Sequence, residues 1–138
     1  MTNYDIDSIT VNQQQYIETI YSLCTQDRHE HAHAKDIAKQ LNIKMPSVTE
    51  ALRNLQNMGL INYKVRQAVT LTSLGNEIGI ELAKRHKVFS DFFTDILGLE
   101  QKKADYAACR IEHVIDEEIR ERFSDFLCYL KQEVMQND

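Results

Sequence analysis

Residues Ala34–Thr72 read AKDIAKQLNIKMPSVTEALRNLQNMGLINYKVRQAVTLT, and the spacing of their apolar positions decides the fold. Ile37, Ala38 and Leu41 mark a short helix from about Ala34 to Leu41. Asn42-Ile43 is a turn, and Pro46 opens a second helix, where its missing N–H costs nothing. Val48, Ala51, Leu52, Leu55 and Met58 fall on one face of that helix, and Gly59 is placed to end it. Leu60–Tyr63 and Ala68–Thr72 predict the strands of a hairpin that bends near Val65, Arg66 and Gln67. Helix, turn, helix and hairpin in this order predict a winged helix-turn-helix.

The flanking sequence is helical as well. Tyr16, Ile17, Ile20, Tyr21, Leu23 and Cys24 form a stripe on a helix from about Val11 to Thr25, followed by a polar loop from Gln26 to His33. Leu74–Leu97 predicts a long helix closed by Gly98, with Val88, Phe89, Phe92, Phe93, Ile96 and Leu97 on its apolar side. Gly79 inside it costs about 1 kcal/mol relative to Ala, a cost that close approach of another helix would explain. Two more helices are expected, about Glu100–Ile115 and Asp116–Met135, the second carrying Ile119, Phe123, Phe126, Leu127, Leu130 and Val134. With 4 Gly and 1 Pro in 138 residues, turn residues are too sparse for an all-β sandwich or barrel. The expected class is mainly α.

The formal charge of −5 argues against a nucleic-acid partner until its distribution is considered. Between Ala34 and Arg66 stand six bases (Lys35, Lys39, Lys44, Arg53, Lys64, Arg66) against two acids (Asp36, Glu50), a net of +4 that leaves −9 elsewhere. A basic island in an acidic body suits a protein that meets an anion with one face. An α-helix fits the DNA major groove and offers its N-terminal side chains to base edges. Here those positions are Lys44, just before Pro46, and Ser47, Thr49, Glu50, Arg53 and Asn54 after it. Ser47 and Thr49 can donate to phosphates or bases, Lys44 and Arg53 supply charge, and Glu50 can accept from a cytosine amine. Lys35 belongs to the same basic island, and Lys64 and Arg66 on the wing would meet flanking phosphates or the minor groove. Without an apolar run of the ~18–20 residues a span needs, and without a signal-peptide core, a cytoplasmic protein with no membrane partner is expected.

Three cysteines, Cys24, Cys109 and Cys128, are odd in number and far apart, which disfavours a disulfide framework. Cys24 and Cys128 lie on apolar helix stripes and read as small buried hydrophobes. Cys109 stands in Cys109-Arg110-Ile111-Glu112-His113-Val114. On a helix, positions i, i+3 and i+4 share a face, so Cys109, Glu112 and His113 converge as a thiolate, a carboxylate and an imidazole. That donor set suits a first-row divalent ion. His86 on the long helix and Gln15 with Glu18 on the first helix are further candidates. His29, His31 and His33 alternate in the first loop, as a solvated segment or an accessory metal site.

The ordered set Gln15-Tyr16-Ile17-Glu18, Pro46-Ser47-Val48-Thr49, Arg85-His86 and Cys109-Arg110-Ile111-Glu112-His113-Val114 resembles the metal-dependent repressors typified by the diphtheria toxin repressor and the manganese transport regulator. The resemblance implies a cytoplasmic homodimer that binds Mn(II) or Fe(II) and then a palindromic double-stranded DNA operator of metal-uptake genes. It implies a DNA-binding domain over 1–73 and a helical dimerisation and metal-binding domain over 74–138. It also implies metal ligation by Glu18, His86, Cys109, Glu112 and His113, with Gln15 at the first-helix ligand position.

The chain departs from the family at three of these positions. Gln15 stands where relatives have Asp or Met, leaving an amide oxygen, a water-bridged carbonyl or no ligand there. Ser90 stands where iron-type members carry a Glu ligand, and Asp105 where they carry His, so Asp105 offers a substitute carboxylate. The chain matches the manganese type in length, without the additional SH3-like C-terminal domain of the iron type, yet Cys109 is the iron-type residue. The metal stays open between Fe(II) and Mn(II). No organic small-molecule substrate is expected. A metallohydrolase using Glu112 as base lacks a nucleophile or oxyanion donors elsewhere in the sequence. The alternative is a metal-independent winged-helix regulator that senses a small molecule or oxidation of Cys109.

Overall fold

Thr10 begins the first helix, α1 (Val11–Gln26), with a reciprocal cap. Its hydroxyl accepts from the Gln13 main-chain N–H at 3.0 Å, and the Gln13 side-chain oxygen accepts from the Thr10 N–H at 2.9 Å. The computed structural model describes residues 6–64, 66 and 68–136. They fall into two compact units, 1–82 and 83–138, divided within helix α4 (Ser73–Asp91).

In the first unit a 3₁₀ turn (Ile6–Ser8) precedes α1, whose stripe buries Tyr16, Ile17, Ile20 and Cys24. Gln14 joins this buried face because its amide donates to the carbonyls of Ile6 and Ile9, each at 3.3 Å. Helix α2 (Ala34–Leu41) and helix α3 (Met45–Asn57) follow, joined through Asn42 in the left-handed conformation at φ 55°. Pro46 sits in the first turn of α3, one residue after the helix begins. Val48, Leu52 and Leu55 are buried beneath that helix, as the spacing predicts.

The strands are shorter than the sequence suggests: β1 (Ile61–Asn62) and β2 (Thr70–Leu71) pair antiparallel, Ile61 with Leu71 and Asn62 with Thr70. Beyond the ladder, outward-facing main-chain groups take other partners. The Tyr63 N–H donates to the Gln56 side chain of α3 at 2.9 Å, and Val69 exchanges two hydrogen bonds with Ala32, at 2.7 and 2.8 Å. That bridge fastens the loop before α2 to the wing. Arg66 lies at φ 67°, while Val65 and Gln67 of the expected bend lie outside the described residues.

Two glycines let α4 approach its neighbours. A Cβ on Gly79 would lie 2.7 Å from Cδ1 of Tyr21, and one on Gly75 would collide with the main-chain oxygen of Leu60.

The second unit contains the remainder of α4, a π-helical turn (Phe92–Ile96), α5 (Gln101–Ile111) and α6 (Glu117–Gln136). The expected helix to Leu97 is therefore α-helical only to Asp91. Beyond it the Leu97 N–H reaches back to the Phe92 carbonyl at 3.2 Å, which widens the turn. Phe89 and Phe92 both pack on the Phe123 ring of α6, with centroids 5.1 Å apart in each pair. Lys131 of α6 reaches Asp91 at 3.1 Å and Asp95 at 3.4 Å. Burial pushes the Asp91 carboxyl up, but hydrogen bonds from Lys131 and Lys87 outweigh it and hold the group below the ordinary carboxylate range.

Three expectations for this unit need correction. Helix α5 stops at Ile111, four residues before the expected Ile115, because the chain passes into a turn at Glu112–Val114. Leu127 is buried on α6, but Ile119 and Phe126, seven residues apart, are 50% and 53% exposed on a different face. Cys128 is exposed, whereas Cys24 is buried as expected. The Val134 side chain lies outside the described set. Among the described residues no helix is long and apolar enough to cross a membrane.

The glycine contacts predict an order of stabilities. Gly79→Ala is expected to cost about 1–2 kcal/mol despite its better helix propensity, and Gly75→Ala more, because backbone yields less than a ring. Thermal melts check this, and Tyr21→Ala should convert Gly79→Ala into a gain of up to about 1 kcal/mol.

Candidate metal centre and nucleic-acid face

Cys109 projects from the last turn of α5, and Glu112 and His113 follow where the helix has given way to a turn. Glu112 keeps helical backbone angles (φ −60°, ψ −28°), and its N–H bonds to the Ala108 carbonyl at 3.0 Å. The expected i, i+3, i+4 relation thus survives the helix end. One donor atom each from Cys109, Glu112 and His113 lies within 4.8 Å of the others. The Glu112 side chain is 1% exposed and that of His113 4%.

A carboxylate so deeply buried is costly unless it is paired, by several kcal/mol on the usual scale. Glu112 is held between two imidazoles. One of its oxygens is 3.1 Å from Nε2 of His113, and the other is 2.9 Å from Nδ1 of His86 on α4. The hydrogen bond with Glu112 raises the His86 pKa; burial opposes this, while the charges of Glu112 and Asp105 reinforce it. Burial, then the nearby Glu112 charge, pushes the Cys109 thiol up. Both effects favour the neutral thiol over the thiolate.

The second ring nitrogen of His86 faces Asp105 of α5 at 3.3 Å. The same Asp105 oxygen accepts from the Ser90 hydroxyl at 2.8 Å and from the Gln101 amide at 2.9 Å, and Gln101 also donates to Ser90 at 3.0 Å. Burial pushes the Asp105 carboxyl up, but the bonds from Ser90, Gln101 and His86 prevail and hold it low. Two of the three positions at which this chain departs from the resembled family, Ser90 and Asp105, thus bond directly to each other. Gln101 was not among the expected site residues; its i, i+4 relation to Asp105 is the signal that could have found it.

Gln15 and Glu18 lie on α1 in the first unit, both half-buried and three residues apart on one helix face. Within the second unit, His86, Asp105, Cys109, Glu112 and His113 form one connected cluster. Its thiol, carboxylates and imidazoles fit a first-row divalent ion, and Glu112 offers its two oxygens in two directions.

The first unit carries the basic face. Lys44, Pro46, Ser47, Glu50 and Arg53 are exposed on α3, opposite its buried stripe, and Thr49 is half-buried. Lys35 on α2 and Lys64 and Arg66 on the wing are exposed as well. Arg53, Gln56 and Asn57 of α3 line one cleft with Tyr63 and Lys64, which places the helix and the base of the wing at a common surface.

Comparison with known proteins follows the same division. The model of the iron-dependent repressor N-terminal DNA-binding domain matches residues 8–69, and that of the iron-dependent repressor metal-binding and dimerisation domain matches residues 72–137. An uncharacterised HTH-type transcriptional regulator of Methanocaldococcus jannaschii is 34% identical over 119 residues, covering 86% of this chain and 94% of that protein. The diphtheria toxin repressor of Corynebacterium glutamicum is 29% identical over 112 residues, or 81% of this chain. There the chain spans only 48% of the relative's length. The solved structure of the manganese regulator SloR aligns with a TM-score of 0.71 and 26% identity over 88% of this chain and 55% of that one.

The raised Cys109 pKa carries a sign for metal uptake. If Cys109 binds a divalent ion, it does so as the thiolate; uptake would then release its proton, and affinity, with Mn(II) as the probe, should rise with pH between about 6 and 8. Calorimetric titration in buffers of different ionisation enthalpy counts that proton. Cys109→Ser should remove it, and Glu112→Gln should weaken binding by at least about 10–100-fold.

Proposed function

The chain belongs to the iron-dependent repressor family, and from that premise we propose that it is a homodimeric, metal-responsive repressor of metal-uptake genes. It takes up Mn(II) or Fe(II) and then binds a palindromic operator. The observation that carries this reading is the convergence of Cys109, Glu112 and His113 in a chain whose other unit presents a basic helix-and-wing face.

The proposed ligands are Cys109, Glu112, His113 and His86, joined by Glu18 and Gln15 of α1, with Asp105 as an additional carboxylate. A bound divalent ion supplies positive charge that neutralises the carboxylates and the Cys109 thiolate. His86 and His113 already flank Glu112, each ring facing one of its two oxygens. Ser90 and Gln101 fix Asp105 against His86 and so orient the ring. Glu18 lies on the same helix that buries Tyr16, Ile17 and Ile20 in the DNA-reading unit, so its ligation would couple metal binding to that unit.

On DNA, Arg53, Glu50, Ser47 and Thr49 read bases or bond phosphates from α3, with Lys44 and Pro46 at its start. Lys35, Lys64 and Arg66 neutralise the flanking backbone. In a dimer the two α3 helices lie about 34 Å apart, one turn of the duplex. The functional division follows as 1–73 for DNA and 74–138 for metal and dimerisation, in a cytoplasmic setting. The exposed Ile119 and Phe126 on one face of α6 suit a surface covered by a second copy.

Two other readings meet specific obstacles. As a general base for hydrolysis, Glu112 is badly placed, since it is buried and an imidazole faces each oxygen. As a thiol sensor, Cys109 is half-buried with a raised pKa, the opposite of a reactive thiolate.

Gel-shift titration on an operator tests the proposal: chelator, or Glu112→Ala with His113→Ala, should abolish metal-dependent affinity, and unchanged affinity overturns the reading. Arg53→Ala should cost about 1–3 kcal/mol and relax specificity at its base, whereas Lys64→Ala should lower the salt slope by about 1 with little change in specificity. Phe126→Asp should dissociate the dimer in sedimentation experiments while leaving the helical content of the chain intact.

A further inference from the structure

The loop between α1 and α2 carries His29, His31 and His33, none of which serves the metal centre or the DNA face described above. The loop has a defined backbone. One Asp27 carboxylate oxygen accepts the main-chain N–H of both His29 and His31, each at 3.0 Å. Glu30 between them adopts a left-handed conformation at φ 59°. Ala32 then anchors the loop to Val69 of the wing.

This arrangement brings His29 and His31 to one side, with ring centroids 6.3 Å apart. Both rings and Glu30 border a cavity of about 520 Å³, whose wall includes Tyr21, Cys24 and Thr70. His33 flanks the start of α2 and does not border this cavity.

We propose that His29 and His31, with the Glu30 carboxylate as third donor, form a second transition-ion site inside the DNA-reading unit, suited to Zn(II). It is independent of the donors on α5. With metal–nitrogen bonds of about 2.0–2.1 Å, two imidazoles sharing one ion have centroids roughly 5–6 Å apart. The observed centroids, 6.3 Å apart, stand just outside that spacing, and rotation of the side chains has to close the gap. His29 and Glu30 are exposed and His31 is half-buried, so these rotations meet little packing resistance. Two imidazoles, a carboxylate and water make a common four-coordinate zinc set.

The electrostatics favour a cation. Main-chain hydrogen bonds from His31 and His29 hold the Asp27 carboxyl below its ordinary range, so a fixed negative charge sits behind the pair. Cys24 lies deeper, and its thiol is pushed up by burial and then by Asp27 and Glu30, which leaves it as wall, not ligand. An ion here would stiffen the segment that enters α2 and is bridged to the wing, and so act on DNA reading without the α5 centre.

The test uses the full chain carrying Cys109→Ser, Glu112→Ala and His113→Ala, with Zn(II) alone as the probe. Equilibrium dialysis should find one zinc per subunit, and the imidazole proton resonances of His29 and His31 should move together while His33 stays. Adding His29→Gln and His31→Gln should remove that zinc. No bound zinc, zinc that survives the added changes, or movement of only one imidazole overturns the site. Should the triple variant fail to fold, the unmodified chain and its His29→Gln, His31→Gln variant are compared. A difference of one zinc per subunit supports the site, and equal numbers overturn it. Loss of metal-dependent operator binding in the triple variant tests the repressor reading; zinc at the loop histidines tests this one alone.

Discussion

The second unit is organised around a carboxylate that water does not reach. Glu112 lies almost wholly buried, with His113 on one oxygen and His86 on the other. Stranding a charge at that depth costs several kcal/mol, so the fold must keep the His86 ring hydrogen-bonded to it. That requirement links the end of α5 to α4, and through Asp105, Ser90 and Gln101 it extends back to the start of α5. The same pairs that make burial tolerable without an ion present donors to one, so stability and ligand geometry rest on the same contacts.

The first unit is built on different physics. Its core is aliphatic, from Ile17 and Ile20 of α1 through Ile37, Leu52 and Leu55 to Ile78 and Leu82 of α4. Charge is kept on the outside of α3 and the wing. The centre that would respond to metal and the surface that would meet DNA thus need not compromise each other's packing. They share chain continuity through α4, whose glycines admit Tyr21 and the Leu60 carbonyl.

Much of this was legible in the sequence because it is local. The α2 limits, the turn at Asn42 and the buried face of α3 follow from spacing of three and four residues and from a left-handed Asn. The Cys109, Glu112 and His113 convergence was readable for the same reason. What spacing could not supply was contact between distant partners. Val69 uses its outward-facing main-chain groups to bridge Ala32, far away in sequence, and no local pattern announces that pairing. Phe92 and Phe93 continue a helical pattern, but the backbone there opens into a π turn beside Phe123. Ile119 and Phe126 look like core by composition, and only the fold reveals that Leu127 occupies the inner face. Gln101 escaped notice because a glutamine on an amphipathic helix carries no signature until its amide is seen on Asp105 and Ser90.

The Ala32–Val69 bridge has a consequence for how the wing tolerates crowding. A two-stranded ribbon ordinarily leaves backbone donors and acceptors open along its margins, where a neighbouring polypeptide can zip on and begin aggregation. Here both main-chain groups of Val69 are already taken by a residue of the same molecule. That margin is closed at Val69, so a neighbouring strand finds neither of its main-chain groups open for pairing.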